Sequence, residues 1–198
     1  LIFGIMEIVN FAQGEFMMLG MFASLYLVTG TGALAWFGPS AAPFIGAICA
    51  GPIVFAGGTL LYKFVVGRVS GMRTADTSSD NRFGQLIVTL GISLILQNGG
   101  LLVFGSTPQT VHTPLASRAF LIDGFYGDDV VFINKARLIA CAIAIVVALA
   151  LYLVMEYTTL GKAMRAAADN PTAATYMGID VDRSYRLACG IGSGITAI

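Results

Sequence analysis

The chain has 198 residues, of which 57% are hydrophobic and 11% charged, with 11 basic and 11 acidic side chains that cancel. Soluble domains carry about 25% charged residues, so this set cannot clothe a water-exposed surface, and disorder, which needs low hydrophobicity and high charge, is excluded as well. Zero net charge argues against nucleic acid as a partner; the class that remains is an integral membrane protein, with the lipid bilayer as its solvent.

Charges are confined to a few segments. Residues 16–62, 83–117, 138–155 and 187–198 carry none. A membrane-crossing helix needs about 20 mostly apolar residues, so these runs predict an all-α, polytopic bundle with four to five spans, one of them discontinuous near the start. The chain opens and closes in apolar residues without charged flanks. It is therefore expected to be an internal piece of a longer polytopic membrane protein, truncated at both ends.

In chain order, the opening stretch G-I-M-E-I-V-N-F-A-Q-G-E-F places Glu7, Asn10, Gln13 and Glu15 among apolar neighbours. On a helix, Glu7, Asn10 and Gly14 share one face. Polar side chains at membrane depth are costly and usually face a pathway or a partner. Two readings fit: a pathway lining with a helix break at Gly14, as in several transporters, or a polar connector at the membrane surface. The first span is expected over 16–28. A turn follows with Gly30, Gly32, Gly38, Pro39 and Pro43, where Trp36 is placed as an interfacial anchor. The second span is expected over 44–62, bent by Pro52 and by Gly57 and Gly58.

The third span, 84–104, carries Gln97 and Asn98. Adjacent helical residues point about 100° apart, so one is expected to hydrogen-bond to a neighbouring helix and the other to line a cavity. The fourth is expected over 136–155, and a fifth begins near Arg186. Cys49, Cys141 and Cys189 lie in apolar runs and read as small buried hydrophobes. His112 stands apart from other ligand types, and no metal site or cofactor is expected.

The loops set the orientation. Lys63, Arg68, Arg73 and Arg82 occupy one, and Lys162, Arg165, Arg183 and Arg186 another, together eight of the 11 basic residues. The positive-inside rule places 63–82 and 156–186 in the cytoplasm, with 29–43 and 105–135 outside. Within the second cytoplasmic loop, 160–169 reads as a short helix with Lys162 and Arg165 on its polar side. Asn170 and Pro171 read as an N-cap and first-turn proline opening another short helix, which Gly178 ends. Ala163, Ala166, Ala167, Ala168, Ala173 and Ala174 crowd this segment. It is either an ordinary amphipathic surface loop or a shallow knob that another protein grips. Nucleophile-elbow, Walker and zinc-protease motifs do not occur, so no enzyme activity is expected of this stretch and it hydrolyses no ATP itself.

Three segments taken together resemble one known family. I-V-N-F-A-Q-G-E-F-M-M-L-G (8–20), G-I-S-L-I-L-Q-N (91–98) and L-G-K-A-M-R-A-A-A-D-N-P-T-A-A-T-Y-M-G-I-D (160–180) are similar, in order and spacing, to branched-chain amino acid ABC transporter permeases of the smaller type. Urea and short-chain amide permeases share the pattern. Within the third segment, T-A-A-T-Y-M-G is similar to the wider importer pattern E-A-A-x-x-x-G, with Thr172 where Glu is usual.

The resemblance implies a permease subunit in a bacterial inner membrane. It would pair with a second permease, two cytoplasmic ATP-binding subunits and an extracytoplasmic substrate-binding protein. The coupling segment is then 158–180, with Gly161, Arg165, Ala166, Asn170, Pro171, Ala173, Ala174 and Gly178 as ATPase-coupling positions. Glu7, Asn10, Gln13, Glu15, Gln97 and Asn98 are the candidate pathway residues. The alternatives are a urea or amide permease, and an ion-coupled carrier in which Glu7 and Glu15 bind ions or protons.

Overall fold

The structure, a computed structural model, describes residues 10–30, 34–67, 79–111, 114, 119–123 and 130–198. Glu7 and His112 lie outside the described residues. Among those described there are seven α-helices and one small hairpin, and the chain is an all-α membrane helix bundle with that hairpin appended.

Helix α1, Gln13–Leu25, opens on Asn10: its side-chain oxygen accepts from the Ala12 N–H at 3.0 Å and its carbonyl from the Gln13 N–H at 3.3 Å. The break considered at Gly14 falls before it, because Asn10 supplies a side-chain acceptor that competes with the helical ladder; Gly14 is inside the helix, which starts ahead of the span expected over 16–28. A π-helical turn, Tyr26–Gly30, continues α1. The first span is thus only 13 α-helical residues before that turn.

Helix α2, Gly38–Leu61, begins earlier than expected and runs into a π turn, Tyr62–Val66. Pro39 sits in its first turn, where the missing N–H would have no helical partner anyway. Pro43 and Pro52 lie inside it. Such prolines persist in membrane helices when neighbours satisfy the freed carbonyls. Trp36, on the short turn before α2, is 95% exposed, as suits an interfacial ring.

Helix α3 is Ser79–Phe104. The connection after it holds an antiparallel pair, β1 (Ala119–Asp123) and β2 (Val130–Asn134), in register from Ala119 opposite Asn134 to Asp123 opposite Val130. Asn134 ends β2 and caps α4, Lys135–Tyr157, accepting from the Ala136 N–H at 2.9 Å. Only Thr158 separates α4 from α5, Thr159–Asp169, and its hydroxyl accepts from the Gly161 N–H at 3.1 Å. Helices α6, Pro171–Tyr176, and α7, Val181–Thr196, complete the chain. Helix α7 begins before the expected Arg186, because Asp180 caps it through the Arg183 N–H at 3.0 Å.

Three helices among the described residues are long and apolar enough to cross a membrane: Gly38–Val65, Leu86–Phe104 and Lys135–Tyr157. The core lies between α2 and α7, which run antiparallel. A Cβ on Gly58 would overlap the Ser193 side chain, so the glycine is required by the close approach. The Ser193 hydroxyl, fully buried, donates to the Gly190 carbonyl at 2.9 Å and lies 3.4 Å from the Val54 carbonyl across the seam. Small interfacial residues of this kind let membrane helices pack closely where lipid removes the hydrophobic drive. Helix α4 buries no residue and leans mainly on α5 and β2. Cys189 is buried in the seam, but Cys49 and Cys141 are exposed, because their helix faces point away from the bundle.

Candidate functional site

Two regions collect the polar features. The first is the start of α1. The Gln13 side-chain amide donates to the Thr196 hydroxyl at the far end of α7. Glu15 accepts from the Ser93 hydroxyl on α3 at 3.2 Å. Their depth follows from helix geometry. Ser93 is seven residues from Leu86 and 11 from Phe104, the ends of the apolar part of α3, which is about 10 and 16 Å at 1.5 Å per residue. Thr196 lies 14 residues along α7 from Asp182, whose carboxylate is 3.5 Å from the Tyr62 hydroxyl at the basic end of α2; that is about 21 Å. Gln13 and Glu15 are therefore held at mid-depth of the bundle rather than at a rim.

Beside them is a cavity of about 470 Å³ between α1, α2 and the end of α3, lined by Phe16, Leu19, Phe22, Tyr26, Val54 and Phe104 among others. Phe22 and Phe104 stack on each other in its wall with centroids 4.0 Å apart. The lining is aliphatic and aromatic, so it accepts apolar groups and offers no partner to a charged one.

Gln97 and Asn98 do not join this region. Both are exposed, and the Asn98 amide donates to the Leu94 carbonyl of its own helix at 2.7 Å. The interhelical bond expected of one of them is not formed among the described residues. Their face of α3 is turned away from the helices packed on it, and an amide left without a neighbour falls back on the nearest carbonyl.

The second region is the elbow formed by α5 and α6 on the side richest in basic residues. Helix α5 buries Gly161, Met164 and Ala167 and exposes Lys162 and Arg165. Gly161 is buried because a Cβ there would overlap the Met155 backbone. Arg165 pairs with Glu156 at 2.5 Å, with both side chains near half exposed; such pairs add little stability. Ala166 is half-buried. Asn170 and the exposed Pro171 open α6, the Asn170 side chain accepting from the Ala173 N–H at 2.9 Å. Ala173 faces out while Ala174 is 4% exposed. Gly178 stops the segment at φ +80, a left-handed conformation that favours glycine.

Gly161 and Ala174 thus face their own chain, while Arg165, Ala173 and Gly178 are presented outward. Two residues that the sequence reading passed over stand out at the tip: Tyr176 and Met177 are 86% and 82% exposed. Large apolar side chains this bare, on a polar elbow outside the spans, have the character of an interaction surface. The signal was an apolar pair between a helix end and a helix-stopping glycine.

A bundle with a helix start pinned at mid-depth and a capped elbow projecting from its basic side has the build of a multi-pass membrane transport subunit. The chain belongs to the family of branched-chain amino acid transport system permease components, whose family model matches residues 1–198. It is 28% identical over its full length to the high-affinity branched-chain amino acid transport system permease protein LivH of Escherichia coli strain K12, and 26% identical to the corresponding BraD of Pseudomonas aeruginosa. It spans 61% of the length of each. A probable branched-chain amino acid transport permease LivH of Methanocaldococcus jannaschii is 29% identical over 95% of this chain and 54% of its own length. No solved structure matches.

Proposed function

We propose that the full-length protein is the permease subunit of an ATP-driven importer for branched-chain amino acids in a bacterial inner membrane. It pairs with a second permease, two cytoplasmic ATP-binding subunits and an extracytoplasmic substrate-binding protein. The observation that carries this reading is the elbow of α5 and α6. An ion-driven carrier has no use for a capped helix pair that holds Ala173, Tyr176 and Met177 clear of the membrane domain. An importer needs such a pair, to receive the closing and opening of its ATPases. Transport of aliphatic amino acids is supported by the names of the relatives and by the apolar cavity beside α1, which suits an aliphatic side chain better than urea or an amide. Glu15 and Gln13 lie beside the route, and Asn10 shapes it by holding the turn that leads into α1.

The test uses the full-length protein with its partner subunits. Ala173→Arg and Gly178→Arg should leave membrane insertion intact, weaken co-purification of the ATPase subunits and abolish uptake. Uptake that survives both changes, and persists when ATP is depleted but the ion gradient is held, would overturn the importer reading. Urea or amide binding by the partner binding protein, in place of leucine-like amino acids, would overturn the substrate alone.

A further inference from the structure

The two polar regions are joined by one helix. We propose that α7 is a strut that ties the elbow to the start of α1, so that displacement of the elbow is delivered to the polar contacts at mid-depth; this rests on the importer reading above.

At the lower end, Pro171 has no N–H, so the Ala167 carbonyl lacks the donor that would continue the α5 ladder. The Tyr185 hydroxyl of α7 donates to that carbonyl at 3.2 Å, and the ring, 5% exposed, belongs to the same core cluster as Met164 and Ala167. The elbow is thereby fastened to α7 at the point where its own helix breaks.

Along its length α7 is clasped by α2. Cβ atoms on Gly190 and Gly58 would overlap Thr59 and Ser193 respectively, and a seam this close has no room for one helix to slide without the other. At the upper end, the Thr196 hydroxyl donates to the Gly192 carbonyl at 2.7 Å and accepts from Gln13. Gly20 of α1 packs directly on Ala197. Tyr185 and Thr196 are 11 residues apart, about 16 Å of continuous helix. Glu15, two residues beyond Gln13, holds α3 through Ser93. A push on the elbow therefore has a route of packed atoms to the contacts between α1, α3 and α7, the kind of network that carries coupling between distant sites.

Tyr185 and Thr196 are positioning residues in this scheme. The experiment uses the full-length assembly in proteoliposomes and measures ATP hydrolysed per solute transported. Tyr185→Phe keeps the ring and removes the hydroxyl; Thr196→Val keeps the volume and removes the acceptor. Both variants should assemble and hydrolyse ATP at the wild-type basal rate. Their ATP cost per solute should rise about five-fold, the equivalent of one net hydrogen bond. Thr196→Ser, which restores the hydroxyl, should return the wild-type ratio; a merely structural role would lower the amount of assembly and leave the ratio alone. An unchanged ratio in Tyr185→Phe and Thr196→Val overturns the strut, as does a Thr196→Ser variant no better than Thr196→Val. Failure of the importer reading shows elsewhere, in a wild-type protein that neither binds ATPase subunits nor needs ATP.

Discussion

Helices α2 and α4 are both long and apolar, yet one forms the centre of the bundle and the other touches almost nothing. In α2 the buried positions are Ala42, Gly46, Ala50, Gly51, Val54 and Gly58, nearly all small. Helix α4 has Leu138, Ile145, Val146, Leu149 and Leu153, all exposed. In water the second set would be the core. In a bilayer, lipid tails are as apolar as leucine, so bulk hydrophobicity cannot pull α4 inward, and close approach of backbones decides which helices associate. The interior of this protein is marked by what is missing from its side chains.

That contrast is exposed to breakage in order of expected effect, with thermal unfolding of the detergent-solubilised full-length protein as the common measure. Gly58→Leu drives a side chain into Ser193 and should cost at least about 3 kcal/mol, with loss of monodisperse protein; a well-behaved variant would mean that the α2–α7 seam is loose. Gly161→Ala collides with the Met155 backbone where α4 turns into α5, and should cost about 1–3 kcal/mol. It probes the tight packing where α4 gives way to α5.

Smaller effects are expected away from these close contacts. Asn170→Ala removes the cap of α6 and should cost about 1 kcal/mol, seen as faster hydrogen exchange at the Ala173 amide rather than as global unfolding. Arg165→Ala breaks an exposed ion pair and should cost less than about 0.5 kcal/mol, less still in high salt. Leu149→Ala on the bare face of α4 should change stability least, because among the described residues that side chain is exposed rather than packed in the core. A loss near the roughly 2–5 kcal/mol of a buried leucine would show that α4 is covered by protein after all.

Much of this was legible in the residues. Uncharged runs located α2, α3 and α4 because charge is excluded from hydrocarbon whatever the tertiary structure. Asn170, Pro171 and Gly178 located the elbow because caps and stops act over three or four residues. What failed were several inferences that needed to know a neighbour. Helix α7 begins among Asp182, Arg183 and Arg186, which charge-based segmentation assigned to a loop. The strands around residues 119–134 are too short to stand out beside the spans. Gln97 and Asn98 look as much like interhelical glue as Gln13 does, yet Gln13 alone has a helix within reach. The depth of Gln13 and Glu15 depends on where α3 and α7 cross α1, which no local pattern encodes.

The Asn170 cap has a consequence for assembly. Helix α6 is only six residues long, far below the length at which an isolated helix persists in water. Its shape is set by the Asn170 side chain, by Pro171, which is preset for a helix, and by the anchor of Ala174 in the protein. Under the proposed function, a partner that docks here meets a surface that is already ordered. The conformational entropy of arranging Ala173, Tyr176 and Met177 is lost during folding, not during association. Complex formation at this tip should accordingly be governed by encounter and fit, with affinity limited by the few side chains it presents rather than by the need to fold them.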